Sequence, residues 1–183
     1  MRGFDMFMRI AKRIYEQLPN VLFVVAGADR VAYGGDHRHT DGKSFRDHVL
    51  SQDAYDLSKF VFTGLLSPEK LAQIWSICDL HIYLTVPFVL SWSLFNALAC
   101  GAVVLASDTA PVRELIQHRQ NGLLAPFFDV DKFTQLALEV LRDPPAYSEL
   151  GQHGGQLIEA SYGLEQTLPH MLALYEDTMA RTA

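Results

Sequence analysis

The stretch of this 183-residue chain best placed to do chemistry runs from residue 79 to residue 126. Residues 79–84 read as a buried strand, and a proline-containing loop, 85–91, follows it. A helix then opens near Ser91, whose hydroxyl is placed to cap it. The first amides of that helix point into the crevice outside the carboxyl ends of the strands, where open α/β sheets take their ligands. Amides at a helix N-terminus suit an anion, and a diphosphate fits them well. Ala99, Gly101 and Ala102 are small, so the helix can turn back closely onto the next strand.

Other reactive residue types lack the company their chemistry needs. His37 and His39 sit one residue apart in a polar loop with no fixed third ligand, so no metal is expected. Ser91, Ser107 and Ser161 lack the strand–turn–helix context of a nucleophile elbow. Gly34-Gly35 lacks the spacing of a dinucleotide fingerprint, which argues against a nicotinamide cofactor and against an epimerase of similar sheet architecture. His81 alternates with apolar neighbours and reads as lining of a core or cleft. Cys78 and Cys100 have no CxxC partner; buried free thiols in a reducing compartment are expected, with a disulfide as the alternative. A net charge of −6 gives no general footprint for nucleic acid.

The elements that must hold this stretch alternate between helical and strand periods. Residues 3–18 read as an amphipathic helix stopped by Pro19. Residues 21–26 are a β-branched apolar run ending at Gly27, the pattern of a strand buried on both faces of a parallel sheet. A long polar loop, 28–43, and a short helix, 44–50, lead to a strand at 59–63. Ser67-Pro68-Glu69 opens a helix to about residue 78. After the strand at 79–84 come a helix at 92–100, a strand at 102–106, a short helix at 111–117 and a turn at Asn121-Gly122. Asp129 caps a helix to about 141; a short helix at 144–153 and an amphipathic one at 164–180 close the chain. The expected fold class is α/β: a doubly wound parallel sheet, Rossmann-like, with right-handed crossovers. No run is long and apolar enough for a signal peptide or a membrane span, so a cytoplasmic protein is expected, with at most peripheral contact with a membrane.

Several short motifs carry a family resemblance. Leu94–Gly101 reads LFNALACG and Val103–Asp108 reads VVLASD. Arg113-Glu114-Leu115-Ile116, Asn121-Gly122-Leu123-Leu124 and the opening Arg2-Gly3-Phe4 follow the same pattern. Together they resemble the donor-binding half of group 1 glycosyltransferases, retaining enzymes with two facing Rossmann-like domains in the GT-B arrangement. The resemblance covers essentially the whole chain, 1–183, as a single domain. It implies transfer of a hexose from a nucleotide diphosphate sugar, without a cofactor or metal, to a saccharide or lipid-linked acceptor held by a second domain.

The site residues follow from that resemblance. Arg2 matches the basic residue that reaches the donor diphosphate, and backbone amides near Leu90, Ser91 and Trp92 match those that hold it. Thr63, Gly64 and Leu65 match the loop that packs the nucleobase; Asp29 and Arg30 border the same cleft. Two positions depart from the pattern. Asn96 stands where the family has the glutamate that contacts the ribose, and Phe88 stands where it has a glutamate near the donor sugar. Loss of both carboxylates leaves a degenerate, non-catalytic nucleotide-binding or assembly domain as the alternative reading. The family's domain also opens with a strand ahead of the position of Arg2. A sheet without that strand exposes an edge and an apolar face, and self-association is expected.

Overall fold

A computed structural model describes residues 3–30, 35, 38, 40 and 42–182. Arg2, and His37 and His39 of the polar loop, therefore lie outside the described residues. Helix α1 (Phe4–Gln17) buries Met6, Met8, Ile10, Ala11 and Ile14 along one face, as its periodicity requires. Strand β1 (Phe23–Ala26) pairs in parallel with β2 (Phe60–Gly64), with Phe23 opposite Phe60 and their rings stacked 5.1 Å apart. The short helix α2 (Phe45–Leu50) lies between them in sequence. Helix α3 (Pro68–Ile77) starts as expected, with Pro68 in its first turn and the Ser67 hydroxyl accepting from the Lys70 amide.

The second half builds a second parallel set. Strands β3 (His81–Tyr83), β4 (Val104–Ser107) and β5 (Leu123–Ala125) pair in the order β3–β4–β5. Between them come α4 (Trp92–Ala99) and α5 (Ala110–Arg113). The chain ends in α6 (Val130–Arg142), capped by the Asp129 carboxylate accepting from the Lys132 amide, then α7 (Ser148–Tyr162) and α8 (Leu164–Thr182). β4 is wholly buried and sends alternate side chains to opposite faces. Leu105 joins the α1 and α6 residues Ile10, Phe133 and Leu136, while Val104 and Ala106 join Trp75 of α3 with Leu94 and Leu98 of α4. Helices on both faces of parallel strands make the Rossmann-like, doubly wound arrangement the alternation implied.

Four expectations are corrected. β1 is not buried on both faces, since Val24 and its neighbour Val61 are each 43% exposed. Among the described residues the strands form two sheets, β1–β2 and β3–β4–β5, and β1 and β3 are not paired with each other. The short helix expected at 144–153 is a 3-10 turn, Pro144–Tyr147, followed by the 15-residue α7, which runs on through three glycines despite their low helix propensity. Cys78 and Cys100 are free as expected, but half-buried rather than buried. No helix among the described residues is long and apolar enough to cross a membrane.

Candidate functional site

Because every strand is parallel, the loops that follow the strands gather at one edge of each sheet. At β1 and β2 that edge is made of glycine. Gly27 takes φ +143° and Gly64 takes φ +68°, and the Gly27 amide donates to the Gly64 carbonyl at 2.9 Å. A side chain would strain either backbone, so glycine here keeps the edge bare and open to close approach. Thr63 turns its hydroxyl back onto the Val25 and Gly64 carbonyls, and Leu65 stands 76% exposed at the rim. Asp29 is held by Arg46 at 3.1 Å, and the Arg46 guanidinium lies 5.5 Å over the Phe62 ring.

At β3 and β4 the edge is stapled by hydroxyls. The buried Ser107 hydroxyl accepts from the Thr85 amide at 2.9 Å, tying the loop after β3 to the end of β4. Ser91 does not cap α4 with its side chain, contrary to its expected role. Its hydroxyl instead bonds the Tyr83 hydroxyl at 3.1 Å and the Ser93 hydroxyl at 2.6 Å. The first turn of α4 is therefore left without a side-chain cap; the Ser91 amide donates to the Tyr83 hydroxyl at 3.4 Å and the Leu94 amide to the Ser91 carbonyl at 3.0 Å, so the amides of Trp92 and Ser93 are the ones placed to meet an outside acceptor. Phe88 and Trp92 are 51% and 83% exposed at this end of the helix. Leu90 is half-buried, and Asn96, one helical turn on from Trp92, is exposed.

Residues the sequence did not single out for a site complete the edge. Asp108, directly after β4, is held in a two-pronged ion pair by Arg113, which keeps its carboxyl below the usual range. The buried Thr109 hydroxyl beside it has no hydrogen-bond partner among the described residues. Both lie within or just after the VVLASD motif, so the signal was present without a role attached.

One cavity of about 1270 Å³ reaches this edge. It is bordered by Asp29, Arg30, Thr63, Gly64 and Leu65 from the first sheet and by Tyr83, Leu84 and Ser93 from the second. Five of the expected residues are thus brought together, while Phe88, Leu90, Ser91, Trp92 and Asn96 stand outside its lining. His81 lines it as expected, edge-on to Trp75 at 5.9 Å, with a buried Nε2 that has no partner among the described residues. No cluster of three or more His, Cys, Asp or Glu able to hold a metal occurs among the described residues.

A sequence model of the family described as glycosyl transferases group 1 matches residues 1–156. The chain is 22% identical over 179 residues to the alpha-galactosylglucosyldiacylglycerol synthase of Streptococcus pneumoniae, covering 98% of this chain and 43% of that protein. In structure it is similar to a sucrose-phosphate synthase from Thermosynechococcus elongatus, with a TM-score of 0.82 at 21% identity over 98% of this chain and 43% of that one. It is also similar to the Anabaena protein HepE solved in complex with UDP-glucose, with a TM-score of 0.66 at 18% identity over 96% of this chain and 56% of that one. The chain therefore spans less than half the length of the first two of these relatives.

Proposed function

This chain belongs to the group 1 glycosyltransferases, and on that premise we propose that it binds the nucleotide diphosphate of a sugar donor at the carboxyl edge of its strands. Acting with an acceptor domain, it moves a hexose from that donor, with retention, to a saccharide or lipid-linked acceptor. The observation that carries this reading is the uncapped first turn of α4, which opens on the same edge as the bare Gly27–Gly64 pair. Departure of a diphosphate builds negative charge on its oxygens, and preorganised amide donors stabilise that charge without reorganising. The glycine edge suits the flat face of a nucleobase, whose polar rim can bond the peptide groups of Thr63 to Leu65. A relative solved with UDP-glucose supports the choice of ligand class.

Asn96 offers a neutral hydrogen bond to a ribose hydroxyl where a carboxylate would offer a charged one. The neutral bond contributes about 0.5–1.5 kcal/mol against about 1.5–3 kcal/mol for the charged one, so binding is expected to be weak. Calorimetric titration with UDP and GDP tests the reading. One of the two should bind, and Asn96→Glu should tighten it about fivefold, the equivalent of roughly 1 kcal/mol. Silence from both nucleotides at millimolar concentration, in wild type and variant alike, would remove the donor site from the account.

A further inference from the structure

A fixed ion pair stands beside the bare Gly27–Gly64 edge. Asp29 follows Gly27 by two residues, a reach of at most about 7 Å. Its carboxylate meets the Arg46 guanidinium at 3.1 Å. Arg46 belongs to the first turn of α2 and lies 5.5 Å over the ring of Phe62, two residues before Gly64. The Phe62 ring is stacked on Phe60 at 6.0 Å and set edge-on to Phe4 at 6.4 Å. The guanidinium therefore rests on a packed aromatic floor, with Asp47 as its second acidic neighbour at 3.6 Å. Asp29 and Arg46 both line the cavity that reaches the glycine edge. Among the described residues Arg46 is the one ion-pair partner of Asp29, whose side chain keeps 25% of its surface open.

The chemistry of the pair selects among the bases. An ionised carboxylate only accepts hydrogen bonds and has room for about four, while a guanidinium only donates. Side by side they present one donor next to two acceptors. Guanine carries the complement of that order: the O6 acceptor, then the N1 donor, then the N2 amine. Uracil has a single ring donor between two carbonyl oxygens, and those oxygens would be pressed against the carboxylate. Adenine and cytosine each set an amine beside a ring nitrogen that accepts, so a carboxylate can satisfy only half of either edge. Stability does not account for the pair, since ion pairs this open to water contribute little to it.

We propose that Asp29 and Arg46 make the site selective for guanine, so that the donor is a guanosine diphosphate sugar; this rests on the donor-site reading above. Asp29 accepts from the N1–H and the N2 amine of the base. Arg46 donates to O6 and holds the Asp29 carboxylate in place. Because Arg46 is already seated on Phe62, little side-chain freedom is lost when the base arrives.

The test is calorimetric titration of the 183-residue chain and of its Asp29→Asn variant with four diphosphates: GDP, UDP, inosine diphosphate and xanthosine diphosphate. Inosine lacks the N2 amine, and xanthosine carries a carbonyl in its place. An asparagine side chain offers one acceptor and one amine, which match the xanthine N1–H and its carbonyl. Wild type should bind GDP at least about tenfold more tightly than the other three, the weight of one hydrogen bond to a charged group. Asp29→Asn should reverse the order of GDP and xanthosine diphosphate. A residue that served only to anchor Arg46 would give no such reversal. Binding of UDP as tightly as GDP, or of inosine diphosphate as tightly as GDP, would overturn the proposal and leave the donor site standing. So would a GDP preference that survives Asp29→Asn, or one that is lost with no gain of xanthosine diphosphate. The wild-type order does not depend on the variant folding. Silence from all four diphosphates at millimolar concentration would remove the donor site itself, and the base assignment with it.

Discussion

Asn96 and Phe88 are the residues at which sequence and structure say the most about activity. Their places follow from the resemblance to the family's motif, and the structure sets both at the exposed end or face of α4, away from the cavity lining. Other motif residues prove to be architectural. Asn121 is buried, accepts from the Gln117 amide at 2.7 Å and donates to the Leu115 carbonyl at 2.9 Å, so the Asn-Gly pair fastens a turn rather than touching a ligand. Gly122 follows for the same reason, since a Cβ there would press on Ile116 and the Val104 carbonyl. His81 carries a pH dependence. Burial holds its imidazole down at about 4, against an ordinary 6.5. As pH falls below 6.5 the unfolded chain takes up the proton first, so this contribution to stability is complete above that value and is lost by about pH 4. The loss amounts to about 3 kcal/mol. Urea unfolding at pH 7 and pH 4 should show wild type losing more stability than His81→Leu by that amount. Parallel losses in the two proteins would mean that His81 is open to water.

Among the elements, strand–helix alternation and most caps were readable because each depends on local residues. Ser67 and Asp129 cap as their positions imply. Ser91 does not, because Tyr83 and Ser93 compete for its hydroxyl, and that competition exists only once β3 and α4 are folded together. α7 was underread for a related reason. Gly151, Gly154 and Gly155 lower its intrinsic helicity, yet two of them are what allows it to pack on the turn after α4. A Cβ on Gly151 would lie 2.1 Å from the Gly101 carbonyl oxygen, and one on Gly154 would lie 2.8 Å from Leu98. Gly155 has only an ordinary contact, at 3.4 Å. Gly151→Ala should therefore destabilise the fold by about 1–3 kcal/mol or more, as overpacking does. Gly155→Ala should be near neutral or stabilising by up to about 1 kcal/mol, since alanine favours the helix. Chemical denaturation of the two variants checks this, and equal effects would contradict the close approach of α7 to Gly101.

At the scale of the whole molecule, the parallel, doubly wound plan was visible in the order of apolar runs, but the division of the sheet was not. Pairing between β1 and β3 is a long-range matter, and no local pattern reports whether a strand has one neighbour or two. The division leaves the carboxyl edges of both sheets opening on one cavity, with Gly27 and Gly64 on one side and Tyr83, Leu84 and Ser93 on the other. That shared edge is the core of the account, and the match over residues 1–156 places the chain among the group 1 glycosyltransferases. Amide chemical shifts recorded during a titration with UDP and with GDP test it most directly. The account predicts that one nucleotide shifts the amides of Gly27, Gly64, Leu65, Trp92 and Ser93 together while those of α7 stay put. Shifts confined to other surfaces, or none at all with either nucleotide, would contradict it.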